Sequence, residues 1–461
     1  AMPSLDAPDV ADTALEGVLA DPVETTLSPD ALWEAEIHVE PDTAEDMGSI
    51  DILQDIASDD TAEALDGEVQ VADDLVPSDP DSGPADMIET IEVAEPLPPA
   101  DLSILTVAPY LMWVTSEQVS VRWETSRAVL GRVDYGDSNE LGATVVEDSA
   151  RTVHELRLAG LLAGSDHAYR VVYDGGAMPT RYFRTAPWPE SHEPVRFVVW
   201  GDNQDGPDVL SDLMVWMAAF DPDFAIAVGD TVSRGTRDNY REQLFEPLQG
   251  FVDQVPFLTA AGNHERYDDP DAALLSEYFS MPGDEHCFGW RYDDLYFLFL
   301  DTDLGLDGPE DQRQCVIDAL SSDEAIDALI QAAVFHKPPR IEYWFGGLVA
   351  FTDEMEAAWV REELEPLLED LGVDIVFNGH NHLYAHSPET AGGITWVTTG
   401  GGGGKLDEPG WLNMWRVGDW SEIETSISEH HFLRVGLDDG TLTVEAVDRD
   451  GYVLHAFEIF R

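Results

Sequence analysis

Residues 373–382 read VDIVFNGHNH, an apolar run that ends abruptly in two histidines. Four further runs have the same form, with an apolar stretch followed at once by side chains that can bind metals: VRFVVWGDNQ (195–204), FAIAVGD (224–230), PFLTAAGNHE (256–265) and AAVFH (332–336). Uninterrupted apolar runs of this length are typical of strands buried on both faces of an α/β sheet. Because functional groups in such sheets gather at the carboxyl ends of strands, we expect the five ends to share one site.

The polar residues at these strand ends are the candidate site. They are Asp202 with Gln204, Asp230, Asn263 with His264, His336, and His380 with His382. Each has an ordinary alternative when taken singly, since GD after a strand is usually a turn or a helix cap, and a lone histidine is more often a hydrogen-bonded core residue. The pair His380 and His382 is more specific, because in an extended turn both rings can face neighbouring ions. The five ends together predict a metal site.

Two amphipathic segments and a closing run of strands accompany these ends. In PDVLSDLMVWMAAF (207–220) apolar side chains recur at helical spacing, at Leu210, Leu213, Met214 and Met217. MEAAWVREELEPLLEDLG (355–372) predicts a second helix despite Pro366. The segment 430–460 predicts β-hairpins, with DDG and DRDG as its turns.

The charge of the chain restricts its partners. Its 461 residues include 93 acidic and 23 basic side chains, for a formal net charge of −70. Nucleic acid and anionic lipid are therefore implausible partners, and we expect small molecules or cations instead. No apolar run reaches the roughly 18 residues of a membrane-spanning helix, and the first residues lack the features of a signal peptide. We expect a soluble, mature or trimmed chain without a transmembrane segment.

The N-terminal region divides into two parts of different composition. Residues 1–100 contain 28 Asp and Glu residues and no Lys or Arg, which predicts a flexible acidic stalk over 1–101. The stalk is either a tether that spaces the protein from a cell surface or a merely solvated linker. Short alternating runs rich in β-branched and aromatic residues follow and predict an antiparallel β-sandwich over 102–187. The segment 188–461 is then a further domain, which contains the five strand ends.

The two cysteines leave two alternatives open. Cys287 and Cys315 are too few for a disulfide scaffold or a thiolate metal site. They form one bridge in an oxidising compartment, or they are two small buried thiols.

The strand-end residues resemble the calcineurin-like metallophosphoesterase superfamily, whose blocks run D-x-H, GD, GNH-E/D, H and GHxH in this order. The purple acid phosphatase branch is the most similar, because a sandwich resembling fibronectin type III precedes the catalytic domain, and WRYDDLYFLFLDT (290–302) and ITWVTTGGGGG (394–404) are similar to its sequences. The resemblance covers about 102–461. It implies that 188–461 is the catalytic domain and that this domain is an αββα sandwich of two mixed sheets.

The resemblance also implies two metal ions, chosen from Mn, Fe, Zn and Mg, that share Asp230. The first would bind Asp202, Gln204, Asp230 and His382, and the second would bind Asp230, Asn263, His336 and His380. Two cations held 3.5–4 Å apart by a shared carboxylate activate a bridging hydroxide for attack on phosphorus, in the general scheme of two-metal hydrolases.

Three further residues take roles from the same resemblance. His264 is implied to contact phosphate or to protonate the leaving oxygen, and Glu265 is a candidate to orient it. Arg234, in GDTVSRG, is a candidate phosphate clamp. The alternative for Arg234 is a surface arginine paired with a carboxylate.

Two departures from the family pattern bear on the metals. Gln204 replaces the usual histidine of D-x-H, which favours a harder ion such as Mn²⁺ or Mg²⁺. Thr231, Val232 and Ser233 stand where the purple branch has the tyrosine that gives its colour, so we expect no visible charge-transfer absorption and disfavour ferric iron. The glycines after ITWVTT are expected to allow close backbone approach beside the site. Tyr384 and His386 are candidate supporting residues.

The sequence therefore predicts an extracytoplasmic, dinuclear-metal phosphoesterase that hydrolyses small phosphate monoesters. Phosphodiesters and nucleotides are alternative substrates of the same site. The competing hypothesis is a catalytically weakened, acidic cell-surface binding module, in which Gln204 marks the decay of the metal site.

Overall fold

The computed structural model describes residues 97–137, 141–279, 281, 286–306, 312–341, 358–389, 392–407 and 420–461. The strands are β1 (Leu105–Met112), β2 (Gln118–Val129), β3 (Gly131–Asp137), β4 (Ala143–Val146), β5 (Arg151–Ala159), β6 (Asp166–Tyr173), β7 (Gly176–Ala177), β8 (Arg181–Arg184), β9 (Val195–Trp200), β10 (Phe224–Ala227), β11 (Phe257–Thr259), β12 (Cys287–Tyr292), β13 (Leu295–Leu300), β14 (Ile330–Val334), β15 (Ile375–Asn378), β16 (Tyr384–Ser387), β17 (Thr395–Thr399), β18 (Thr425–Ile427), β19 (His431–Asp438), β20 (Thr441–Asp448) and β21 (Val453–Phe460). The α-helices are α1 (Pro207–Ala219), α2 (Arg237–Asn239), α3 (Ala273–Phe279), α4 (Gln312–Leu320), α5 (Asp323–Ile326) and α6 (Glu365–Leu371).

The first eight strands form two antiparallel sheets. One has the order β1-β2-β5, and the other has the order β4-β3-β6-β7 with β8 paired to β6. Backbone pairing begins before the predicted end of the stalk at 101, because the Ala100 amide donates to the Ala177 carbonyl at 2.9 Å. The rest of the predicted stalk, residues 1–96, lies outside the described residues.

Buried hydrogen bonds attach these sheets to the later part of the chain. The Tyr110 hydroxyl donates to the Tyr278 carbonyl at 2.7 Å, and the Trp290 indole donates to the Val114 carbonyl at 3.0 Å. The Tyr110 ring also lies 4.7 Å from the ring of Phe245. Both donors are buried, so these bonds satisfy polar groups that would otherwise be costly to remove from water.

The remaining strands form two mixed sheets that face each other. The six-stranded sheet has the order β11-β10-β9-β19-β20-β21, and the seven-stranded sheet has the order β12-β13-β14-β15-β17-β16-β18. Aromatic side chains fill the space between them: the Phe197 ring lies 5.5 Å from Phe297 and 6.2 Å from Phe377, and Phe224 lies 4.8 Å from Trp290. Edge-to-face pairs of this kind add to the stabilisation from burial alone.

Helices cover the outer faces of the two sheets. Helix α1 lies against β19 and buries Leu210, Leu213 and Met217, while Met214 is only partly buried. On the other side, Val316, Leu320 and Leu368 from α4 and α6 pack with residues of β13, β14 and β15. The result is the four-layered αββα arrangement of two mixed sheets.

The second predicted helix accommodates its proline at a change of winding. The chain forms a wide helical turn over Val360–Leu364, and α6 then begins with Pro366 in its first turn. A proline is tolerated there because its missing N–H is not needed for the helical hydrogen bonds. Residues 355–357 of the predicted segment lie outside the described residues.

Cys287 of β12 and Cys315 of α4 form a disulfide bridge, which decides between the two alternatives left open above. The bridged residues are 28 positions apart, a loop whose closure stabilises the fold by roughly 3–4 kcal/mol through the entropy of the unfolded chain. The bridge fastens the outer helix to the edge strand of the seven-stranded sheet. No helix in the described ranges is long and apolar enough to cross a membrane.

Candidate metal centre

The five strand ends converge where the two mixed sheets meet. Two groups of side chains can each hold a metal ion, because within each group the possible ligand atoms lie within 4.8 Å of one another. One group consists of Asp230, His336 and His380, and the other of Asp202, Asp230 and His382. Asp230 belongs to both, as a carboxylate shared by two neighbouring cations must.

The distances within this cluster are short. Nε2 of His336 lies 3.1 Å from Oδ2 of Asp230, and Nε2 of His382 lies 3.4 Å from Oδ1 of Asp202. Nδ1 of His380 approaches Nε2 of His336 to 3.3 Å. Asp202, Asp230, His336 and His380 are almost fully buried. The cluster therefore places several electron-pair donors in one small region that is shielded from water.

Backbone carbonyls orient two of the imidazoles. Nδ1 of His336 donates to the Val228 carbonyl at 2.9 Å, and Nδ1 of His382 donates to the Lys405 carbonyl at 2.8 Å. In each ring Nε2 then faces the cluster, and its lone pair becomes available to a cation when the ring loses the proton on that nitrogen. Histidines that bind metals are held in this way in most metalloproteins, because the second hydrogen bond fixes the tautomer and raises the basicity of the ligand.

The loops reach this geometry through unusual backbone conformations. Asp202, Asp230 and His380 have φ values of 58°, 51° and 68°, in the left-handed region that non-glycine residues rarely adopt. A Cβ atom on Gly379 would collide with the Asp202 carboxylate, and one on Gly262 would collide with that of Asp230. Glycine is thus required at both positions for close approach, and conformational strain concentrates at the cluster as it does at many functional sites.

Gln204 and Asn263 each have a buried side-chain oxygen that accepts no hydrogen bond from any described residue. In Gln204 the amide nitrogen, and not this oxygen, faces the cluster. Nε2 of Gln204 lies 3.0 Å from Nε2 of His382 and 3.4 Å from Oδ2 of Asp230. The Asn263 amide nitrogen donates to the Tyr267 hydroxyl at 3.3 Å. A buried oxygen that accepts no hydrogen bond is costly. The amide, carboxylate and imidazole groups of the cluster are ligands that suit Mn²⁺, Zn²⁺ or iron.

The charges in the cluster shift its titration strongly. Burial alone would raise the pKa of Asp230, but the charges of His336 and His264 hold it below its ordinary value. Burial opposes protonation of His336, yet Asp230 and Asp202 raise its pKa to about 10. Burial and the His336 charge keep the pKa of His380 well below its usual range. Without cations the cluster therefore retains protons, which bound metal ions would displace.

The environments of His264 and Glu265 differ from the predicted pairing. Nδ1 of His264 donates to the Ser233 carbonyl at 3.1 Å, and its Nε2 lies 3.8 Å from Oδ2 of Asp230. The Glu265 carboxylate instead accepts bonds from the amides of Asp230, Thr231 and Gly262 at 2.7–3.1 Å. Ser233 thus orients the imidazole, while Glu265 is buried and holds the loop that carries Asp230.

Arg234 does not contact the cluster. Its guanidinium pairs with the Asp268 carboxylate at 2.9 Å, and the two side chains are 58% and 54% exposed. This is the arrangement of the alternative, a surface arginine paired with one of the many carboxylates. Arg234 belongs to the loop that follows Asp230, two residues beyond Val232. Its role in binding phosphate remains a prediction.

The glycine run 400–404 lies against the cluster, and three residues beyond it Asp407 contacts the His382 loop, a role that the sequence did not identify. The Gly404 amide donates to the Asp202 carbonyl at 2.7 Å, and a Cβ on Gly404 would lie 2.9 Å from Cε1 of His382. The Asp407 carboxylate accepts the His382 amide and the Asn381 side-chain amide, both at 2.8 Å. No periodicity or motif marks Asp407, because its role depends on a contact between distant loops.

Tyr384 and His386 do not support the cluster. The Tyr384 hydroxyl lies 2.8 Å from Nδ1 of His455, and the His386 ring stacks on Phe457 at 4.2 Å. Tyr384 also contacts His431 at 5.5 Å between rings. We refer to Tyr384, His386, His431 and His455 as the histidine cluster. The supporting role predicted for Tyr384 and His386 is therefore corrected: these two residues pack β16 against β19 and β21.

Comparisons with known proteins give one consistent result. Residues 195–384 match the sequence profile described as calcineurin-like phosphoesterase. Purple acid phosphatase 15 of Arabidopsis thaliana is 24% identical over 311 residues, which cover 56% of this chain and 56% of that relative. Probable inactive purple acid phosphatase 27 of the same plant is 22% identical over 370 residues, with 67% of this chain and 58% of the relative covered. The chain thus spans little more than half the length of these two curated relatives.

A purple acid phosphatase isolated from yellow lupin (Lupinus luteus) seeds is a solved structure with the same architecture. It superposes with a TM-score of 0.66 at 18% identity, covering 77% of this chain and 74% of that one. At this identity the similarity establishes the fold.

Proposed function

Residues 195–384 form a calcineurin-like phosphoesterase domain with purple acid phosphatases among its relatives, and from this premise we propose that the chain is a metal-dependent phosphoric ester hydrolase. The observation that carries the proposal is the position of Asp230 in both groups of ligand atoms. A carboxylate shared in this way is the feature that a two-metal site requires.

We assign the predicted ligands to two cations. Asp202, Gln204, Asp230 and His382 would hold the first. Asp230, Asn263, His336 and His380 would hold the second. The bound ions would supply positive charge for the phosphoryl oxygens and lower the pKa of a bound water. For Gln204 this requires the amide to turn its oxygen toward the cluster, a rotation that exchanges two atoms of nearly equal size.

The chain's own residues then bind and orient the ester. His264 is the proposed proton donor to the leaving oxygen, because Ser233 occupies its Nδ1 and leaves Nε2 beside Asp230. Its side chain is partly exposed, so a substrate can reach it. Glu265 is the proposed positioning residue of the Asp230 loop. Arg234 would bind phosphate only by leaving Asp268, a change that an incoming dianion favours electrostatically.

We propose phosphate monoesters as the substrates and an extracytoplasmic location. The disulfide between Cys287 and Cys315 supports that location, because such bridges persist mainly in oxidising compartments. Tethering through residues 1–101 and the exclusion of nucleic acid remain proposals that rest on charge alone.

The test compares p-nitrophenyl phosphate hydrolysis by the full chain and by Asp230→Asn, both with Mn²⁺ after removal of metals by EDTA. We expect the variant to lose about a thousandfold or more in kcat/KM, since the metal site supplies several kcal/mol of transition-state stabilisation. The control is Asp134→Asn, which changes a buried aspartate of the N-terminal sheets. Equal rates in wild type and Asp230→Asn would refute the proposal.

Metal analysis and a second substrate sharpen the test. We expect two bound metal ions per chain, fewer in Asp230→Asn, and no visible charge-transfer band. Faster hydrolysis of bis(p-nitrophenyl) phosphate than of the monoester would assign the site to diesters instead.

The competing function is a weakened binding module. Two observations favour it: Gln204 replaces the usual histidine, and one Arabidopsis relative is named a probable inactive purple acid phosphatase. In that case the wild type would bind Mn²⁺ but hydrolyse the ester no faster than Asp230→Asn does.

A further inference from the structure

Tyr267 occupies an exposed position beside the proposed proton donor. It follows the short helical turn His264–Arg266, and its amide donates to the His264 carbonyl at 3.2 Å. The Gly235 amide in turn donates to the Tyr267 carbonyl at 2.8 Å. The backbone of Tyr267 is therefore fixed both to the His264 turn and to the loop that follows Asp230.

The aromatic ring of Tyr267 packs against the imidazole of His264. The two ring centroids are 4.7 Å apart, and the planes are inclined at 52°. Tyr267 nevertheless remains 47% exposed, whereas Glu265 between the two is fully buried. The ring thus contacts His264 and still presents apolar surface to the solvent. An aromatic side chain held in this way can offer area to a ligand at little entropic cost.

The hydroxyl of Tyr267 connects the ring to the metal ligands. It accepts a hydrogen bond from the Asn263 amide nitrogen at 3.3 Å, while the Asn263 oxygen is buried. The side chain therefore extends from a proposed metal ligand to the proposed proton donor. A group that leaves phosphorus with a proton from Nε2 of His264 departs beside this ring.

The charges around Tyr267 restrict what the leaving group can carry. Asp268 and Asp269 follow it directly. The two arginines of these loops are already paired, Arg234 with Asp268 and Arg266 with Asp301, and the whole chain has a net charge of −70. Additional negative charge on the leaving group would be repelled at low ionic strength. An uncharged planar group avoids this repulsion and gains contact with the ring.

We propose that the exposed face of Tyr267 forms the leaving-group subsite and that the preferred substrates are phosphate monoesters of uncharged aromatic alcohols. The proposal rests on the proposed function. In the reaction, water oxygen bonds to phosphorus, and the bond from phosphorus to the leaving oxygen breaks with its electron pair on that oxygen. The leaving oxygen takes a proton from Nε2 of His264. The attacking water keeps one hydrogen on the new phosphate oxygen and releases the other to solvent, and solvent returns a proton to His264, so that the products are inorganic phosphate and the aromatic alcohol.

The test measures kcat/KM for phenyl phosphate and for glycerol 1-phosphate with the Mn²⁺-loaded full chain, in wild type, Tyr267→Ala and Tyr267→Phe. For Tyr267→Ala we expect kcat/KM for phenyl phosphate to fall about two- to tenfold more than that for glycerol 1-phosphate, the range of one aromatic pair, mainly through KM. Tyr267→Phe keeps the ring, so the ratio of the two substrates should stay at its wild-type value. Any loss from the missing hydroxyl would affect both substrates alike.

Tyr452→Ala is the matched control, because Tyr452 is an exposed tyrosine, 71% accessible, in the turn between β20 and β21. Its substrate ratio should equal that of wild type. Equal losses for both substrates in Tyr267→Ala would overturn the subsite while leaving the proposed function in place. Failure of the wild type to hydrolyse either ester would overturn the proposed function and the subsite with it.

Discussion

Two groups of histidines are buried in contact with the same pair of sheets, one at the metal centre and one in the histidine cluster around β16, β19 and β21. At the metal centre, carboxylates raise the pKa of His336 to about 10 and that of His382 to about 9, although burial opposes both changes. In the histidine cluster, burial lowers the pKa of His386 and His431 to about 4. Burial is common to both groups, so it does not account for the raised pKa values of His336 and His382. His380 of the metal centre, where burial acts together with the His336 charge, has a lowered pKa.

The difference lies in the partners. His336 lies 3.1 Å from the Asp230 carboxylate. His431 instead has the Glu429 carbonyl and the Thr399 hydroxyl as partners, at 2.8 and 3.2 Å. Neutral partners suit a neutral imidazole that packs as a core residue. Buried histidines become candidates for metal binding when carboxylates face them from neighbouring strand ends, and three predictions test this distinction.

The largest expected effect is on activity after substitution of one histidine from each group. His336→Asn should lower kcat/KM for p-nitrophenyl phosphate about a thousandfold and reduce bound metal, because it removes a proposed ligand. His431→Asn, with Mn²⁺ present, should remain within about threefold of wild type, since the residue touches no proposed ligand. Comparable losses in both variants, measured below their melting temperatures, would remove the distinction.

The second prediction concerns the pH dependence of stability. His431 has a folded pKa of about 4 against 6.5 for an ordinary histidine, so the unfolded chain takes up a proton below pH 6.5 that the folded chain does not bind until about pH 4. The contribution of neutral His431 to the free energy of unfolding is therefore complete above pH 6.5. It is lost as the pH falls toward 4, and the loss is at most about 3 kcal/mol.

Denaturant unfolding in EDTA from pH 7.5 to 4 measures this loss. The measured quantity is the free energy of unfolding of wild type minus that of His431→Asn. Because asparagine does not titrate, this difference should decrease by at most about 3 kcal/mol as the pH falls from 7.5 to 4. A difference that is constant with pH would show that His431 is not held neutral.

The smallest expected effect comes from adding one methyl group at each of two glycines. A Cβ on Gly404 would lie 2.9 Å from the Asp202 carbonyl oxygen and from Cε1 of His382, whereas a Cβ on Gly436 of β19 has its nearest neighbour at 4.0 Å. Gly404→Ala should displace His382 and lower kcat/KM about tenfold, since small displacements at a reacting centre are costly. Gly436→Ala should match wild type, and the assay is hydrolysis of p-nitrophenyl phosphate. A Gly404→Ala enzyme with normal kcat/KM would mean that the His382 loop tolerates movement.

The strand ends could be predicted because their signal is local. Each apolar run and the polar residue after it, such as Val228 and Asp230 or Phe335 and His336, are neighbours in the sequence, and the geometry of parallel strands brings such ends together. The closing hairpins followed from the same kind of pattern, whereas the αββα layers were implied by the resemblance to a known family. The resemblance to a known family then supplied the order of the blocks.

The residues that hold these ends in place could not be predicted in this way. Asp407 acts on His382 through a contact between loops, Ser233 acts on His264 through a backbone carbonyl, and Glu265 turned out to bind three amides and not the His264 ring. Tyr384 and His386 follow the His380 loop closely in sequence, yet the strand direction carries them into the histidine cluster. Contacts of this kind depend on the whole fold and leave no periodic signal.

The place of β19 in the six-stranded sheet has a consequence for biosynthesis. Val199 of β9, just before the Asp202 loop, pairs with Leu433 of β19, and β19 separates β9 from β20. As the nascent chain leaves the ribosome, one edge of β9 has no partner until β19 has been translated. An unpaired strand edge is a site for aggregation. We therefore expect folding in the cell to be more efficient when a chaperone covers this edge of β9 until β19 has been translated.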